Sequence, residues 1–549
     1  MARTVGRLLV ESLEAHDIDL VYCVPGESYL GLTNAMVDRN RMRLIVCRHE
    51  GGAAFMAAAD GRMRNGRAGV LVVSRGPGLS NALIGLHTCY HDATPLVVII
   101  GQVERWEAGR MALQEQNYSR LLCDVTKMVI EVNDPAQASE AIARAFHVAE
   151  SGTPGPVAVV IPEDVFDAET DAPLDLPRPL PKAGPRPEDL DRLAGMLAQA
   201  ERPLVLLGPA MHPNEVAAAT KLAEDWVLPV SPTRRRPHLF DAQHPNCAGY
   251  YTGRLSPALM EEVRKADLLV LLGERMTGTM SQGFTFPAAP QPQLPMVHIW
   301  PDPVEIGRVW RTDLAMACEP VEVVRALLAR GAPADAARRA GWVQRLHGLY
   351  QKQYAPEWQP ASEGVNFASV VTAINRMMAP DATVTSDAGS FGSFLDRYLT
   401  MKPGQMFLAS VVGAMGPAMP MAVAACLRRP GTQVFAFAGD GGALMTGNEL
   451  ATAKQYGVNP IFVIADNSCY GTIMQHHHIR YPGRPFEAAT ALTNPDFAAW
   501  ARAFGARAFT ISKESEVEAT IAEAIAVKTQ PVVLHVFSSP QQVSAGWPK

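Results

Sequence analysis

Short apolar runs rich in Val, Ile and Leu recur along this chain, each followed by a stretch with helical spacing, and this alternation restricts the fold more than any other feature. Over the first 165 residues the runs are "DLVYCV", "RLIVC", "GVLVVS", "PLVVIIG" and "PVAVVIP". Strands buried on both faces read as continuous apolar runs, and the helices between them cover the two faces of a parallel sheet. The pattern returns with "PLVLLG", "DLLVLLG" and "MVHIW", and again with "TVTSD", "QVFAFAGD", "PIFVIAD" and "PVVLHVF". We therefore expect an α/β chain of three doubly wound parallel-sheet domains. The Pro-rich stretch "DAPLDLPRPLPKAGPRPEDL" (Asp171 to Leu190) can hold neither a helix nor a central strand, and reads as a linker. The expected organisation is a first domain over 1–170, the linker at 171–190, a central domain over 191–335, a helical connector at 336–364 and a last domain over 365–549.

A chain of 549 residues can bury several cores, and 48% hydrophobic with 19% charged residues is a globular composition. The net charge of −6 and the scattered Lys and Arg give no nucleic-acid footprint and no polybasic membrane patch, so a small molecule is the expected partner. Eight cysteines without a C-x-x-C pair read as reduced thiols of a cytoplasmic protein. "MARTVGRLLVESLEAHDIDL" has charges every few residues where an export signal needs an apolar core, and no run approaches a membrane span.

The chemistry concentrates in "VFAFAGDGGALMTGNELATAKQYGVNPIFVIADNSCYG" (Val434 to Gly471). One buried strand delivers Asp440 between Gly439 and Gly441 at the carboxyl end of a sheet, where open α/β folds bind ligands. The glycines let the backbone approach that ligand, and the helix-patterned stretch after them offers free N–H groups and a positive dipole end suited to phosphate. The next strand delivers Asn467, 27 residues beyond Asp440. Asp440 and Asn467 are hard oxygen ligands, few in number, which suits Mg²⁺ completing its octahedron with phosphate oxygens and water. Two ordinary strand-to-helix turns are the alternative reading of these residues.

The Gly-Asp-Gly and Asn pattern resembles the diphosphate motif of thiamine-diphosphate enzymes. "VCRHEGGAAFMAAADGRMR" and "GVLVVSRGPGLSNALIGLHTCYHDATPLVVIIGQV" resemble the pyrimidine-binding domain of the acetolactate synthase and benzoylformate decarboxylase superfamily. The resemblance covers nearly the whole chain, and makes the three domains pyrimidine-binding, central and diphosphate-binding. It implies thiamine diphosphate with Mg²⁺, the metal held by Asp440, Asn467 and a main-chain oxygen of Cys469. Gly439, Gly441, Gly442, Tyr470, Gly471 and Thr472 would surround the diphosphate, with Gly389, Ser390 and Phe391 of "SDAGSFGSF" closing over it. Pro25 and Gly26 of "VPGESY", Pro77 and Asn81 of "GPGLSN", and Gln114 of "ALQEQN" would lie near the pyrimidine. Gly413 would contact the cofactor amine and Met415 would wedge the cofactor into its bent form.

Thiamine diphosphate carries its own electron sink, so the protein has to bind it, bend it and move one proton. Glu50, following "RLIVC", is the implied catalytic residue, hydrogen-bonding the pyrimidine; an acidic residue in a helix first turn is its alternative reading. The resemblance implies decarboxylation of a 2-oxo acid and ligation to an aldehyde or 2-oxo acid acceptor, in a homodimer or homotetramer with active sites at the subunit interface. A plain 2-oxo acid decarboxylase or 2-hydroxyacyl lyase is the alternative, and a non-catalytic regulatory paralogue a further one. No G-x-G-x-x-G follows "PLVLLG", which disfavours a dehydrogenase.

The chain departs from acetolactate synthases at Thr153, where they carry Arg, and at Glu163, where they carry Lys. "GERMTGTMSQGF" keeps Arg275 but lacks their acidic pair, so the resemblance does not carry FAD over. Thr472 and His476 take the places of a pocket-lining Met and Trp, and His476 is expected to line the substrate pocket as an acid or base. Three consecutive histidines on one helix point in different directions and do not form a metal site.

Overall fold

The computed structural model describes residues 3–37, 41–253, 255–354, 357–484 and 487–546. It contains three parallel α/β sheets. The first holds β1 (Leu20–Cys23), β2 (Arg43–Val46), β3 (Gly69–Val73), β4 (Leu96–Gln102), β5 (Met128–Glu131) and β6 (Pro156–Pro162), in the spatial order β2-β1-β3-β4-β6-β5. The central sheet holds β7 (Pro203–Leu207), β8 (Val230–Pro232), β9 (Leu268–Leu272), β10 (Met296–Trp300) and β11 (Leu314–Ala317), in the order β8-β7-β9-β10-β11. The third holds β12 (Thr383–Ser386), β13 (Met406–Ala409), β14 (Val434–Gly439), β15 (Ile461–Asp466), β16 (Arg507–Ile511) and β17 (Val532–Phe537), in the order β13-β12-β14-β15-β17-β16.

The first and third sheets thus share one strand order. In each, the chain runs outward from its first strand to an edge and then returns to wind the other way. The switch points are β1/β3 and β12/β14, and crevices outside the carboxyl ends of such strands are where open α/β sheets take ligands. The middle strands β3 and β4 are almost completely buried; each Val, Leu or Ile there contributes about 1.5–3 kcal/mol over leaving it exposed.

The chain divides into two compact units. One comprises Met1–Leu180, Thr383–Ser390 and Leu408–Val543, and carries most of the first and third sheets; the other comprises Pro181–Ala382, Phe391–Phe407 and Ser544–Lys549. In the first unit, helix α1 (Glu50–Met63) packs between α2 (Gly76–Asp92) and α3 (Ala418–Arg428). The sequence of α1, "EGGAAFMAAADGRM", explains the closeness: from Gly51 to Gly61 every residue is buried, and small side chains let the helix axes approach. A Cβ added at Gly85 of α2 would collide with that of Ala54. Arg428 at the end of α3 seals this packing, donating to the buried carboxylate of Asp60 (Nε to Oδ1, 2.5 Å) and to Asp19 (2.7 Å).

Within the three parallel sheets, the strands absent from the sequence reading are β5, β8, β11, β13 and β16, and all five are sheet edges; a short antiparallel pair, Arg3–Thr4 with Glu169–Thr170, is also absent from that reading. The stretch after Gly439, expected as one helix, is two: α4 (Asp440–Thr446) and α5 (Glu449–Gln455), broken at Gly447 and Asn448. Residues 171–186 carry no helix or strand, and the helix Pro187–Gln199 begins inside the stretch expected as linker. Among the described residues no helix is long and apolar enough to cross a membrane.

Candidate active site

At the switch point of the third sheet, β14 ends on Gly439 and α4 starts at Asp440, which is buried. Its Oδ1 accepts from the Gly441 N–H at 2.8 Å and its Oδ2 from Asn494 Nδ2 at 2.9 Å. The same amide nitrogen donates at 2.8 Å to Asp466, the last residue of β15. Asp466 also accepts from the Ser468 N–H and meets His535 Nε2 at 2.9 Å. Burial raises the Asp440 carboxyl to about 6. Burial also opposes charge on Asp466, but the bonds from His535, Asn494 and Ser468 outweigh it and hold that carboxyl below its ordinary range. Asn467 therefore leaves the sheet between a fixed Asp466 and Ser468, whose φ of +54° turns the chain toward Cys469. The Asn467 Oδ1 accepts from the Cys469 N–H, and the Cys469 carbonyl from the Gly471 N–H. Burial pushes the Cys469 thiol up to about 11, so only its main-chain oxygen suits a hard cation.

Close glycine contacts bring three strand ends together. A Cβ at Gly442 would fall on Asp387 Oδ2, one at Gly441 would lie 2.6 Å from the Tyr470 ring, and one at Gly471 would lie 2.8 Å from Ser390 Oγ. Asp387, which follows β12, also accepts from the Ala418 N–H at 2.7 Å. The turn carrying Gly413 and Met415 is thereby tied to the same switch point, and Thr446 Oγ1 closes it by donating to the Gly416 carbonyl at 2.5 Å. Gly413 has φ +77° and space where a Cβ would stand, so the backbone itself is presented there. Met415 is half-buried. Gly389, with φ +150°, precedes Ser390; Phe391 belongs to the other compact unit, where its ring meets that of Phe367.

The first sheet presents Glu50. The chain leaves β2, His49 caps α1 by accepting the Gly51 N–H on Nδ1 (3.0 Å), and Glu50 opens the helix. Its Oε2 accepts from Asn81 Nδ2 at 2.9 Å, and a Cβ at Gly78 would lie 3.3 Å from its Oε1. Pro77, exposed, and Asn81 thus share one helical start with Glu50 beside it. Pro25 and Gly26 stand at the same switch point, Gly26 being so near Ser74 that a Cβ would come within 2.5 Å of it. Gln114 is exposed with φ +65°, and its carbonyl accepts from the Gly76 N–H at 3.1 Å.

Helix α6 (Gly471–Arg480) carries Thr472, half-buried, and His476 and His478, both exposed, while His477 meets the Tyr481 ring at 5.2 Å. Glu163 pairs with Arg75, the residue before Gly76. Arg275 lies over the Trp300 ring at 5.3 Å in the other unit.

Among the described residues no three His, Cys, Asp or Glu side chains gather as a metal cluster. One carboxylate, one amide and one main-chain carbonyl remain at the Asp440 turn, a donor set that fits Mg²⁺ bound jointly with a diphosphate and water. Sequence reasoning did not single out Asp387, Glu449, Asp466 or Asn494. Asp466 was visible as the carboxylate ahead of Asn467 and Asn494 as part of an Asn-Pro turn, but their pairing across 28 residues was not.

Three family models match the chain: the N-terminal TPP binding domain of thiamine pyrophosphate enzymes over residues 3–121, their central domain over 190–327 and their C-terminal TPP binding domain over 387–536. The chain is 30% identical over 548 residues to the acetolactate synthase large subunit of Parasynechococcus marenigrum (96% of this chain, 86% of that one). It is 29% identical to the probable acetolactate synthase large subunit of Methanocaldococcus jannaschii (97% and 92%) and 28% identical to the acetolactate synthase isozyme 1 large subunit of Escherichia coli (97% and 93%).

Proposed function

From the premise that the chain belongs to the thiamine pyrophosphate enzyme family of the acetolactate synthase large subunits, we propose that it decarboxylates a 2-oxo acid and joins the remaining fragment to a second carbonyl compound. The observation that carries this reading is the pair of switch-point sites: a hydrogen-bonded carboxylate, Glu50, at one, and the Asp440, Asn467 and Cys469 oxygen set at the other. Bound thiamine diphosphate supplies the electron sink for breaking and forming bonds beside a carbonyl. Asp440, Asn467 and the Cys469 carbonyl hold Mg²⁺, which neutralises the diphosphate, and Gly441 and Gly442 let the chain approach it. Gly413, whose backbone is open where a Cβ would stand, would meet the bound cofactor through its main chain, and Met415 would pack against it. Glu50 holds and moves the proton at the pyrimidine ring, and Asn81 keeps its carboxylate oriented. Pro25, Gly26, Pro77 and Gln114 line the pyrimidine side, while Gly389, Ser390, Phe391, Tyr470, Gly471 and Thr472 line the diphosphate side. His476 borders the substrate.

The protein works as a homodimer or homotetramer with its active sites between subunits, in the cytoplasm, and without a need for FAD. The test is incubation with thiamine diphosphate, Mg²⁺ and a panel of 2-oxo acids and aldehydes, with CO2 and products followed by mass spectrometry. A cofactor-dependent product containing a new carbon–carbon bond is expected; CO2 release with the free aldehyde as sole product would instead assign a plain decarboxylase.

A further inference from the structure

The segment ahead of Glu50 is fastened by a carboxylate 400 residues away. Glu449, at the start of α5, has no exposed surface. Its Oε1 accepts from the main-chain N–H groups of Arg48 and His49, both at 3.0 Å, and its Oε2 from Arg48 N at 3.2 Å and Thr452 Oγ1 at 2.5 Å. Burial raises the proton affinity of this carboxyl, and the donors around it work against that rise. Gly52 completes the arrangement, because a Cβ there would lie 2.5 Å from Oε1. The two N–H groups belong to the residues immediately before Glu50, whose own helix then needs only the His49 cap. Asp92 does the converse: its Oδ1 accepts from the Val411 N–H at 2.9 Å, in the stretch leading to Gly413 and Met415.

We propose that Glu449 is a positioning residue for Glu50: by reach, through its hydrogen bonds from two main-chain N–H groups, it fixes where the helix carrying Glu50 begins. Arg48 and His49 stand directly ahead of Glu50, so a shift in the carboxylate that holds their N–H groups moves the start of the helix that carries Glu50. A displacement of about 1 Å in a proton-transfer group costs on the order of 10²-fold in rate. The inference rests on Glu50 being the proton-transfer group.

Two variants separate reach from charge. Glu449→Gln keeps the length and an acceptor oxygen without the charge; Glu449→Asp keeps the charge but is one methylene short. The measurements are amide hydrogen exchange of the 46–54 segment in the cofactor-free protein, calorimetric affinity for thiamine diphosphate with Mg²⁺, and C2 proton–deuterium exchange of the bound cofactor by NMR. Glu449→Asp is expected to speed amide exchange and slow C2 exchange by about 10²-fold, with cofactor affinity within about threefold of the parent; Glu449→Gln is expected to stay near the parent in all three. C2 exchange at the parent rate in Glu449→Asp, or an equal fall in Glu449→Gln, overturns the inference. Should Glu449→Asp fail to fold, Thr452→Val removes one anchor of the carboxylate and gives the same split on a smaller scale, an unchanged C2 rate again overturning it. Glu50→Gln, measured alongside, keeps the two readings apart: if that variant still exchanges C2 at the parent rate, the Glu50 assignment itself has failed.

Discussion

Glu50 and Asp440 are both carboxylates at helix starts, yet their surroundings suit opposite tasks. Glu50 is half-buried, with one side-chain amide donating to Oε2 and Oε1 left beside Gly78. Replacing it with Gln is expected to leave folding intact and slow C2 exchange of bound cofactor by about 10²–10⁴-fold, the usual value of general acid–base help, as read by NMR. Asp440 is buried and pinned on both oxygens, which suits a fixed ligand. In calorimetric titrations, Asp440→Ala is expected to lose Mg²⁺-dependent thiamine diphosphate binding, and Asn494→Ala to weaken it by roughly 10–100-fold, the typical cost of losing a group that orients a ligand. Asp440 and Asn467 stand out in the sequence because each lies at the end of a buried apolar run, where local pattern and position in the sheet coincide, whereas Glu50, three residues beyond "RLIVC", is singled out only through the family resemblance. Asn494, Asp387 and Glu449 do not stand out: they act through partners 54, 55 and about 400 residues away, and nothing near them in the chain marks those partners.

At the scale of elements, the sequence speaks for buried strands and is quiet about edges. β5 and β16 are half-buried or exposed at most positions, and β11 alternates buried with exposed, so none forms a continuous apolar run; β8 and β13 are three and four residues long. The helix break after Thr446 was hidden because Gly447 and Asn448 sit inside an otherwise periodic stretch. Helix packing gives a direct test: Gly85→Ala places a methyl on Ala54 and is expected to cost about 1–3 kcal/mol in denaturant unfolding, the range for overpacked cores. Strand β10 offers another. His298 lies buried within it, and desolvation lowers its pKa from 6.5 to about 4. The unfolded chain therefore binds a proton below about pH 6.5 that the folded protein refuses until about pH 4, so stability falls across that window, by up to about 3 kcal/mol. Urea melts at pH 6.5 and 4.5 check this: His298→Gln is expected to lose less stability between the two than the parent does.

For the whole molecule, three sheets were legible from the apolar runs, but the gathering of the first and third into one compact unit was not, since it depends on pairs such as Asp60 with Arg428 that lie 368 residues apart. Their common strand order means that one chain carries two switch-point sites, one offering Glu50 and the other Asp440. If the active site forms between subunits, the Glu50 of one chain serves the cofactor held at Asp440 of its partner, and a symmetric dimer has two such mixed sites. Two inactive variants then complement each other. In a hybrid of a Glu50→Gln chain with an Asp440→Ala chain, one site receives both substitutions and the other receives neither. Random re-association of equal amounts makes about half the dimers hybrid, each with one intact site, so roughly a quarter of the parent activity is expected to return. The measurement is CO2 release after co-refolding or co-expression of the two variants, with size-exclusion chromatography to count dimers. Recovery near that fraction supports the site between subunits; a mixture as inactive as its components, with hybrids demonstrably present, places Glu50 and Asp440 of one chain in the same site.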